Sequence, residues 1–432
     1  MTVAEALWRR GAHPDVLQGS TLRAQLPHVA IGELCEVWPE AAARKAPLYG
    51  VVTALADGNA SVSLLSNSDG LSYDAVIFPT GNLQKVDVSP ALLGCVLDGH
   101  GCIVERVGSG DPAAPVTDSR CLAAPPVSYR DRRAINEPFT TGVRAIDALL
   151  SCGVGQRMGI FAAAGAGKTN MTERLLDNAS ADVYVVVLVG ERGREVSAFV
   201  DRMRASENAS RTVIVQSTSD TAPAARCSAA LLGTSVAEYF RDNGCRVLLV
   251  MDSMTRYARA LRDVALASGE PPARRGYPAS VFEALPRLVE RPGLTEKGSI
   301  TAFYTVLLED EVEPDAVGEE VKSLLDGHIY LSSKLAGKGH YPAIDILRSK
   351  SRLFNEVATP SQVEGAMRLR RTLSTLEEMQ FMRDLGEYRP GANPLNDEAL
   401  KKEGTILAFL QQGRRERCDH AAALEALRAL AP

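Results

Sequence analysis

The stretch "FAAAGAGKTN", residues 161–170, indicates the fold class of the chain. It ends in Gly167-Lys168-Thr169, like a phosphate-binding loop of the G-x-x-x-x-G-K-[ST] type, but Ala162 stands where that pattern has its first glycine. The preceding "RMGIFA" predicts a β-strand, and "KTNMTERLLDNA" predicts a helix. Because backbone N–H groups and the helix N-terminus face phosphates in such a turn, we expect a triphosphate site here.

Each position of this loop has an expected role. An alanine at position 162 costs little while its φ angle stays negative, whereas Gly165 and Gly167 can adopt positive φ and let phosphate approach the backbone. Lys168 is expected to contact the β- and γ-phosphates, and the Thr169 hydroxyl to bind Mg²⁺. The loop's candidate nucleotide-binding residues are Ala162, Ala163, Ala164, Gly165, Ala166, Gly167, Lys168 and Thr169. On the loop alone, a tight turn with a surface lysine remains an alternative.

Two carboxylates follow apolar runs that predict buried strands. "CRVLLVMDS" ends in Asp252, which is typical of a strand whose carboxylate holds Mg²⁺ through water. "VYVVVLVGERGREV" carries Glu191 at its end. Since ligands bind at the carboxyl ends of strands in α/β sheets, we expect Lys168, Glu191 and Asp252 to gather there. Glu191 could polarise the attacking water, although a salt bridge to Arg192 or Arg194 is an alternative.

The stretch "GKGHYPAIDILRSKSRLF" contains two further candidates. Tyr341 is expected in a loop, where it could stack on a base or serve as a half-buried structural residue. Arg352, far in sequence from the phosphate loop, could act on a neighbouring subunit's nucleotide or be an ordinary surface cation. The six histidines lack the spacing of metal ligands, so no zinc site is expected.

Composition limits the classes of function. The 432 residues include 45% hydrophobic and 23% charged residues, and the net charge of −5 gives no reason to expect nucleic-acid binding. The eight cysteines form no C-x-x-C pair, which is typical of reduced thiols in a cytosolic protein. No apolar run resembles a signal peptide or reaches the ~20 residues of a transmembrane helix. Any membrane association is therefore expected to be peripheral.

The pattern along the chain predicts several domains in an α/β protein. Short alternating runs with an Asp57-Gly58-Asn59 turn predict a small β-barrel, and apolar runs separated by helical stretches predict a buried parallel sheet. "SQVEGAMRLRRTLSTLEEMQFMRDL" predicts an amphipathic helix after a break at Pro360. The expected segments are an N-terminal segment at 1–20, a barrel at 21–90, a linker at 91–136, an α/β core at 137–357 and helices at 358–432. The first segment is either a flexible start or an amphipathic docking helix.

Several long motifs together resemble a known family. These are "GIFAAAGAGKT", "GERGREVSAFVDRMRAS", "DSMTRYARALRDVALASGEPPARRGYPASVFEALPRLVERPG", "GSITAFYTVLLE", "DGHIYLSSKLAGKGHYPAID" and "DLGEYRPG". They resemble the type III secretion ATPases, relatives of the flagellar export ATPase and of the catalytic subunit of rotary ATP synthases. The resemblance runs from about "VAIGELCEVW" to "FLQQ". "LASGEPPARRGYPAS" and "GEYRPG" are more similar to virulence-type injectisome ATPases than to flagellar ones.

The resemblance implies a homohexameric ring of subunits, each with an N-terminal β-barrel, a RecA-like P-loop core and a C-terminal helical domain. ATP and Mg²⁺ would lie between neighbours, held by Lys168, Thr169 and Asp252. By matching motif positions, Glu191 becomes the catalytic base and Arg192 lies near the γ-phosphate. Further positions match the adenine-stacking residue and the arginine finger that reaches the next subunit; these are Tyr341 and Arg352.

The same resemblance implies a role and partners. ATP hydrolysis would drive chaperone release and the unfolding and entry of substrates in type III protein secretion. The partners would be a central stalk protein, a peripheral stator protein, export gate membrane proteins and chaperone–effector complexes, at the cytoplasmic face of the inner membrane. Two features depart from the family pattern: Ala163 and Ala164 make the loop poorer in glycine and serine, and Lys350 precedes the presumed finger.

Three other functions share this type of core. A flagellar export ATPase or the catalytic subunit of a rotary ATP synthase is the first, although the export-type middle block and short tail argue against the synthase. The second is a hexameric nucleic-acid translocase, which the acidic charge balance and the lack of a basic, aromatic-rich segment disfavour. The third is a non-catalytic ring subunit, which the acid at Glu191 disfavours.

Overall fold

The computed structural model describes residues 11–39, 46–109, 116–309, 315–391, 393–414 and 416–430. The chain divides into two compact units. The first consists of Met1–Val127, Val183–Asn243 and Met251–Arg291, and the second of Ser128–Asp182, Gly244–Val250 and Pro292–Pro432. Residues 1–10 of the expected N-terminal segment lie outside the described residues, and the five segment boundaries remain predictions.

Strands predominate up to residue 139, strands and helices alternate between residues 144 and 357, and helices follow from residue 360. The strands are β1 Val16–Gln18, β2 Thr21–Ala24, β3 Glu33–Trp38, β4 Leu48–Ala56, β5 Asn59–Leu64, β6 Val76–Leu83, β7 Lys85–Val88, β8 Cys95–Leu97, β9 Ile103–Arg106, β10 Asp118–Cys121, β11 Pro138–Phe139, β12 Cys152–Gly153, β13 Arg157–Ala162, β14 Val183–Glu191, β15 Thr212–Thr218, β16 Arg246–Asp252, β17 Gly293–Leu294, β18 Ser299–Leu307, β19 Gly327–Leu331 and β20 Ile344–Ser351. The α-helices are α1 Arg144–Leu149, α2 Lys168–Asn178, α3 Gly193–Arg204, α4 Pro223–Asp242, α5 Met254–Ala267, α6 Ala279–Val289, α7 Ala316–Leu324, α8 Ser333–Gly337, α9 Phe354–Val357, α10 Pro360–Asp384, α11 Pro394–Leu410 and α12 His420–Leu430.

The first unit begins with the small β-barrel that the alternating sequence pattern predicts. Its strands follow the order β1-β2-β5-β4-β3-β6, with antiparallel neighbours. Reciprocal backbone hydrogen bonds of 3.0 and 2.9 Å join Ala12, just before β1, to Ile77 in β6 and close the barrel. Its interior is filled by apolar side chains from alternate positions, among them Leu22, Val37, Val52, Val62 and Ile77.

The turn predicted between two barrel strands is present. Asp57 and Gly58 connect β4 to β5, and Ala56 pairs with Asn59 across the hairpin. Both turn residues have positive φ, 52° and 76°, the conformation that a two-residue hairpin loop requires. Asp and Gly tolerate this left-handed backbone better than other residues, which is why the pattern could be recognised in the sequence.

The segment after the barrel contains more regular structure than its glycine and proline content predicts. Strand β10 pairs with β7, and β8 pairs in parallel with β15 and antiparallel with β9. Three-residue strands such as β8 are too short to show periodicity, so only a partner distant in sequence reveals them. The expectation of a segment with little periodic structure is therefore corrected for these strands.

The remaining strands of the first unit form the α/β part that the apolar runs predict. Strand β14 is buried at each of its nine residues and pairs in parallel with β15. A strand buried on both faces has no reason to alternate polar and apolar residues, which explains the continuous run "VYVVVLV". Helices α3, α4, α5 and α6 belong to the same unit.

The second unit contains a sheet with the order β20-β19-β13-β18-β16. Strand β13 lies between β18 and β19 and runs parallel to both, while β20 runs antiparallel to β19. The predicted runs "RMGIFA", "RVLLVMD" and "SITAFYTVLL" are all strands, and their pairing confirms the buried parallel sheet.

The C-terminal region of the second unit is helical, as its sequence predicts. Helix α10 begins at Pro360, a residue whose missing N–H is tolerated in the first turn. In the same helix, the Gln362 Nε2 donates to the carbonyls of Asp147 and Ala148 in α1, over 3.0 and 3.1 Å. These bonds tie the helical region to the core of its own unit. The fold class, a P-loop α/β core with an N-terminal barrel and C-terminal helices, is confirmed.

Candidate active site

The predicted phosphate loop lies at the carboxyl end of β13, in the centre of the second unit's sheet. Ala162 is the buried last residue of β13 and pairs with Leu307 and Leu331 on either side. It is not among the residues with positive φ, so an alanine fits where the strict pattern has glycine. Gly165 and Gly167, by contrast, have φ of 80° and 92°. The loop therefore uses glycine only where the backbone requires it.

Helix α2 begins directly after this loop. Lys168, its first residue, is half-buried, and Thr169 is exposed. The loop and first turn present the orphan N–H groups of a helix N-terminus beside a lysine and a hydroxyl. This combination is suited to binding a polyphosphate.

Tyr341 lies against the phosphate loop. A Cβ atom built on Gly167 would come within 3.3 Å of the Tyr341 Cε1 atom, so the ring packs over this glycine. The tyrosine is 36% exposed and lines a cavity of about 570 Å³. An aromatic face beside a phosphate loop, open to a cavity, is suited to stacking on a nucleotide base.

One wall of this cavity is formed by the C-terminal segment 411–414, which no sequence motif indicated as part of the site. The cavity lining includes Asn170 and Arg174 from α2 and the segment 411–414 after α11. The Gln412 backbone N–H donates to the Tyr341 carbonyl over 2.9 Å, and the side-chain Nε2 donates to the Gly142 carbonyl over 2.8 Å. Because these contacts join positions up to 270 residues apart, no local sequence signal indicates them.

The first unit carries the predicted catalytic carboxylate. Glu191 ends β14 and is 5% exposed. It forms an ion pair with Arg256, in the first turn of α5, whereas Arg192 pairs with Glu195 at 3.9 Å. Neither Arg192 nor Arg194, both described, pairs with Glu191. The salt bridge from Glu191 to Arg192 or Arg194, which the sequence left open, is therefore wrong. The ion pair is with Arg256, a residue that spacing along the chain does not indicate.

The main chain beside Glu191 is shaped to admit Arg256. Gly190 has a φ of 67°, and the register between β14 and β15 shifts at this glycine. A Cβ on Gly190 would come within 3.3 Å of the Arg256 side chain, so a larger residue would disturb the ion pair. This register shift breaks the regular alternation of side chains along β14 at the Glu191 carboxylate. We take Arg256 as a residue that holds Glu191 in position.

Two further predicted site residues, Asp252 and Arg192, also belong to the first unit. Asp252 is the last residue of β16 and is 6% exposed. It directly precedes α5, whose N-cap Ser253 accepts a hydrogen bond from the Arg256 backbone N–H over 3.3 Å. Arg192 is the N-cap residue of α3, with 80% of its side chain exposed. An exposed guanidinium at a strand end remains available to an anionic ligand.

Arg352 lies in the second unit, immediately after β20. Its backbone N–H donates to the Asp326 carbonyl over 2.8 Å, while its side chain is exposed. Among the described residues, no carboxylate lies within ion-pair distance of its guanidinium. Nearby, the buried His328 has its pKa lowered to about 4 by desolvation and by the charges of Arg352, Lys322 and Lys350.

A dedicated metal cage is absent from the described residues, where no three His, Cys, Asp or Glu side chains cluster as metal ligands. Magnesium that acts with nucleotides is usually held by one or two side-chain oxygens together with the phosphates. The Thr169 hydroxyl in the second unit is an oxygen of that kind, and so is the Asp252 carboxylate in the first unit. In the described part of the chain, no helix is long and apolar enough to cross a membrane.

Comparison with known proteins identifies the family. Residues 142–351 match the nucleotide-binding domain of the ATP synthase alpha/beta family, and residues 358–429 match the T3SS EscN ATPase C-terminal domain. The SPI-1 type 3 secretion system ATPase of Salmonella typhi is 54% identical over 401 residues, 93% of each chain. The chain belongs to the type III secretion system ATPases. The secretion ATPase therefore binds and hydrolyses ATP, as the phosphate loop predicts.

Solved structures of an ATPase from a type III secretion system have the same fold as this chain. The assembled ATPase EscN of enteropathogenic E. coli superposes with a TM-score of 0.90 at 39% identity, covering 98% of this chain and 100% of the solved EscN chain. EscN in complex with its central stalk EscO superposes with a TM-score of 0.86 over the same shares. The secretion ATPase thus shares its fold over nearly its whole length with an ATPase that assembles and binds a stalk protein.

Proposed function

We propose that this secretion ATPase works as a homohexameric ring whose ATP hydrolysis drives chaperone release and the unfolding and entry of substrates in type III protein secretion. The observation that carries the proposal is the match over 98% of the chain to an ATPase solved in its assembled form. The match of residues 358–429 to the type III C-terminal domain favours this role over that of a rotary ATP synthase subunit.

In the proposed site, the loop 162–167 binds the triphosphate through its backbone. Lys168 supplies a cation to the β- and γ-phosphates, and Arg192 a second one near the γ-phosphate. Magnesium, held by the Thr169 hydroxyl and by Asp252 through water, would neutralise part of the phosphate charge. The Tyr341 ring stacks on the adenine. The exposure of Thr169 and the burial of Asp252 support these roles.

Glu191 is proposed as the catalytic base that orients and polarises the attacking water. Its burial keeps bulk water from competing for the carboxylate, and the ion pair with Arg256 holds one orientation. Arg256 thereby acts through Glu191 and is a positioning residue.

Arg352 is proposed as the arginine finger that completes the site of the next subunit. An exposed guanidinium without a carboxylate partner in the described chain is available to a neighbour's phosphates. The backbone bond to Asp326 fixes the point from which the side chain projects. Such a finger stabilises the charge that develops in phosphoryl transfer.

The proposed partners and location follow from this role. A central stalk protein would occupy the ring, as EscO binds EscN, and a peripheral stator protein, export gate membrane proteins and chaperone–effector complexes would complete the apparatus. The ATPase would lie in the cytoplasm, peripherally at the inner membrane.

Phosphate release measured across protein concentration tests the ring. If each site is built between subunits, specific activity rises with concentration, and Arg352→Ala loses it at every concentration. Arg348→Ala, an exposed arginine that lies 4.7 Å over the Tyr330 ring, serves as the matched control and should keep the rise. Activity per subunit that is independent of concentration and survives Arg352→Ala would contradict both the ring and the finger.

A further inference from the structure

The cavity beside Tyr341 contains a buried arginine that the proposed mechanism does not use. Arg174 lies in α2, is only 2% exposed and lines the cavity of about 570 Å³. Its Nε–H donates to the Asn170 Oδ1 over 2.8 Å, and its Nη1 donates to the Gly413 carbonyl over 2.9 Å. No carboxylate of the described chain lies within ion-pair distance, and the Nη2 group has no acceptor among the same residues.

Burying this cation without an acidic partner is unfavourable, which points to a ligand. Desolvation and the charge of Arg414 lower the pKa of Arg174, and the charge of Glu416 compensates only in part. Arg414 itself is paired with Glu173, so the charge that lacks a direct partner belongs to Arg174. A guanidinium is a donor only, and its unused N–H groups require acceptor atoms.

Helix geometry places Arg174 beyond the phosphate loop, on the side of α2 that lines the same cavity as Tyr341. Along α2 the rise is ~1.5 Å per residue, so Asn170 lies about 3 Å and Arg174 about 9 Å beyond Lys168 on the helix axis. A nucleotide with its phosphates on the loop and its base on the Tyr341 ring, as proposed, would bring the base edge into this cavity. Since Asn170 and Arg174 are one turn apart, both side chains line the same cavity as the Tyr341 ring.

The other polar side chains of the cavity offer a mixed set of donors and acceptors. Asn170 uses its Oδ1 to accept from Arg174 and therefore presents donors to the cavity. Gln412 uses its Oε1 to accept from the Arg144 N–H, and its Nε2 to donate to the main chain. Gln411 contacts the His340 Nδ1 through its Nε2, 3.4 Å away, and keeps its Oε1 as an acceptor.

The donors of Arg174 and the acceptor of Gln411 match the hydrogen-bonding edges of guanine and of adenine, respectively. Guanine presents O6 and N7 as adjacent acceptors, which an arginine binds in bidentate fashion, whereas adenine presents an exocyclic amine that requires an acceptor. We propose that the cavity takes 6-oxopurine nucleotides such as GTP as substrates alongside ATP, with Arg174 donating to O6 and N7 and the Gln411 Oε1 accepting from the adenine amine. This inference rests on the proposed role of Tyr341 as the base-stacking residue. Arg174 is then a specificity-determining residue for the hydrolysis.

The test is kcat/KM of the full chain with ATP, GTP and ITP, measured by phosphate release. We expect kcat/KM for GTP and ITP to lie within about tenfold of the value for ATP. The reason is that the donor pair of Arg174 compensates for the oxygen that replaces the adenine amine. ITP shares O6 with GTP but lacks its 2-amino group, so equal values for both assign the recognition to O6. GTP and ITP values more than about 100-fold below that of ATP would overturn the proposal.

Arg174→Met keeps the apolar stem and removes the donors. We expect kcat/KM for GTP and ITP to fall about 10- to 100-fold relative to ATP, the usual effect of a lost bidentate contact. The matched control is Arg370→Met, which removes another buried arginine whose Nη groups donate to the carbonyls of Ile346 and Ser349 outside the cavity. Its ratio of GTP to ATP activity should stay unchanged. An unchanged ratio in Arg174→Met would overturn the proposal.

Two further measurements keep the test decisive. If Arg174→Met does not fold, Arg174→Lys retains the charge but not the bidentate geometry, and the same relative loss of GTP activity is expected. Tyr341→Ala separates this inference from the proposed function, since it should raise KM for all three nucleotides. If it leaves every KM unchanged, the cavity is not the base site and both ideas fail. If it raises them while Arg174 variants keep the GTP-to-ATP ratio, only the specificity role fails.

Discussion

At the scale of single residues, Tyr341 offers the simplest test of base binding. Its ring packs over Gly167 and faces the cavity. Because stacking of a base on an aromatic ring contributes about 1–3 kcal/mol, Tyr341→Ala should raise KM for ATP about 5- to 150-fold. Tyr341→Phe keeps the ring and should have a KM near that of the unaltered protein. Steady-state phosphate release gives both values, and an equal defect in both variants would exclude stacking as the role of the ring.

Glu191 provides a second residue-scale prediction. Replacing the buried carboxylate by an isosteric amide in Glu191→Gln removes the group that we propose activates water, so kcat should fall about 10²- to 10⁴-fold. Nucleotide affinity should persist, because the phosphate loop is unchanged. Single-turnover hydrolysis and fluorescent-nucleotide binding measure the two effects separately.

The matched control for Glu191 is Glu195, an exposed carboxylate on the next helix that pairs with Arg192 at 3.9 Å. Glu195→Gln should retain turnover within a few fold, since a surface ion pair contributes ~1 kcal/mol or less. Turnover of Glu191→Gln that matches this control would remove Glu191 from the mechanism.

At the scale of elements, β19 contains a titratable group that affects the stability of its sheet. His328 is 7% exposed, and its ring meets the Phe161 ring edge-on at 5.7 Å. Desolvation, Arg352 and Lys322 lower the pKa of His328 to about 4 from its usual 6.5. Between these values the unfolded chain binds the proton more readily than the folded one. Stability from this residue is therefore present above pH ~6.5 and lost as the pH falls towards 4.

Replacing this histidine by an uncharged aromatic residue should remove that pH dependence. We expect the melting temperature of His328→Phe to fall less than that of the unaltered protein between pH 6.5 and 4.5, with a difference in stability of up to about 3 kcal/mol near the lower limit. Asp147, whose pKa burial raises to about 7, gives an opposite trend but is common to both proteins. Parallel melting curves across this range would show that His328 does not titrate in the folded protein as expected.

At the scale of the whole molecule, the proposed ring predicts complementation between inactive subunits. Lys168→Ala removes the cation proposed to bind the triphosphate, and Arg352→Ala removes the proposed finger, so each protein alone should lack turnover. In mixed rings some interfaces combine an intact loop with an intact finger, and activity should exceed the sum of the two parents. A chain with both substitutions, mixed with Lys168→Ala, contains no intact loop and should show no recovery. Mixed rings without recovery would contradict a finger that acts between subunits.

Much of the fold could be predicted from the sequence because its information is local. Continuous apolar runs such as β14 are typical of buried strands, and a lysine after glycines at a strand-to-helix turn is typical of a phosphate-binding loop. The left-handed Asp57-Gly58 turn and the proline at the start of α10 likewise depend on the backbone preferences of single residues. The β-barrel, the α/β core, the helical C-terminal region and the loop followed from these local rules.

Only the tertiary structure decided the contacts that complete the sites. Residues far apart in sequence meet in the pairing of Glu191 with Arg256 and in the wall that the C-terminal segment adds to the cavity beside Tyr341. The same is true of the bond from Arg174 to the Gly413 carbonyl. Strand β8 also takes its form from a distant partner. Spacing along the chain does not determine which side chains meet once the chain is packed, because burial and hydrogen bonding select partners across elements. The sequence thus determined which chemistry the protein could carry, and packing determined which residues hold it in place.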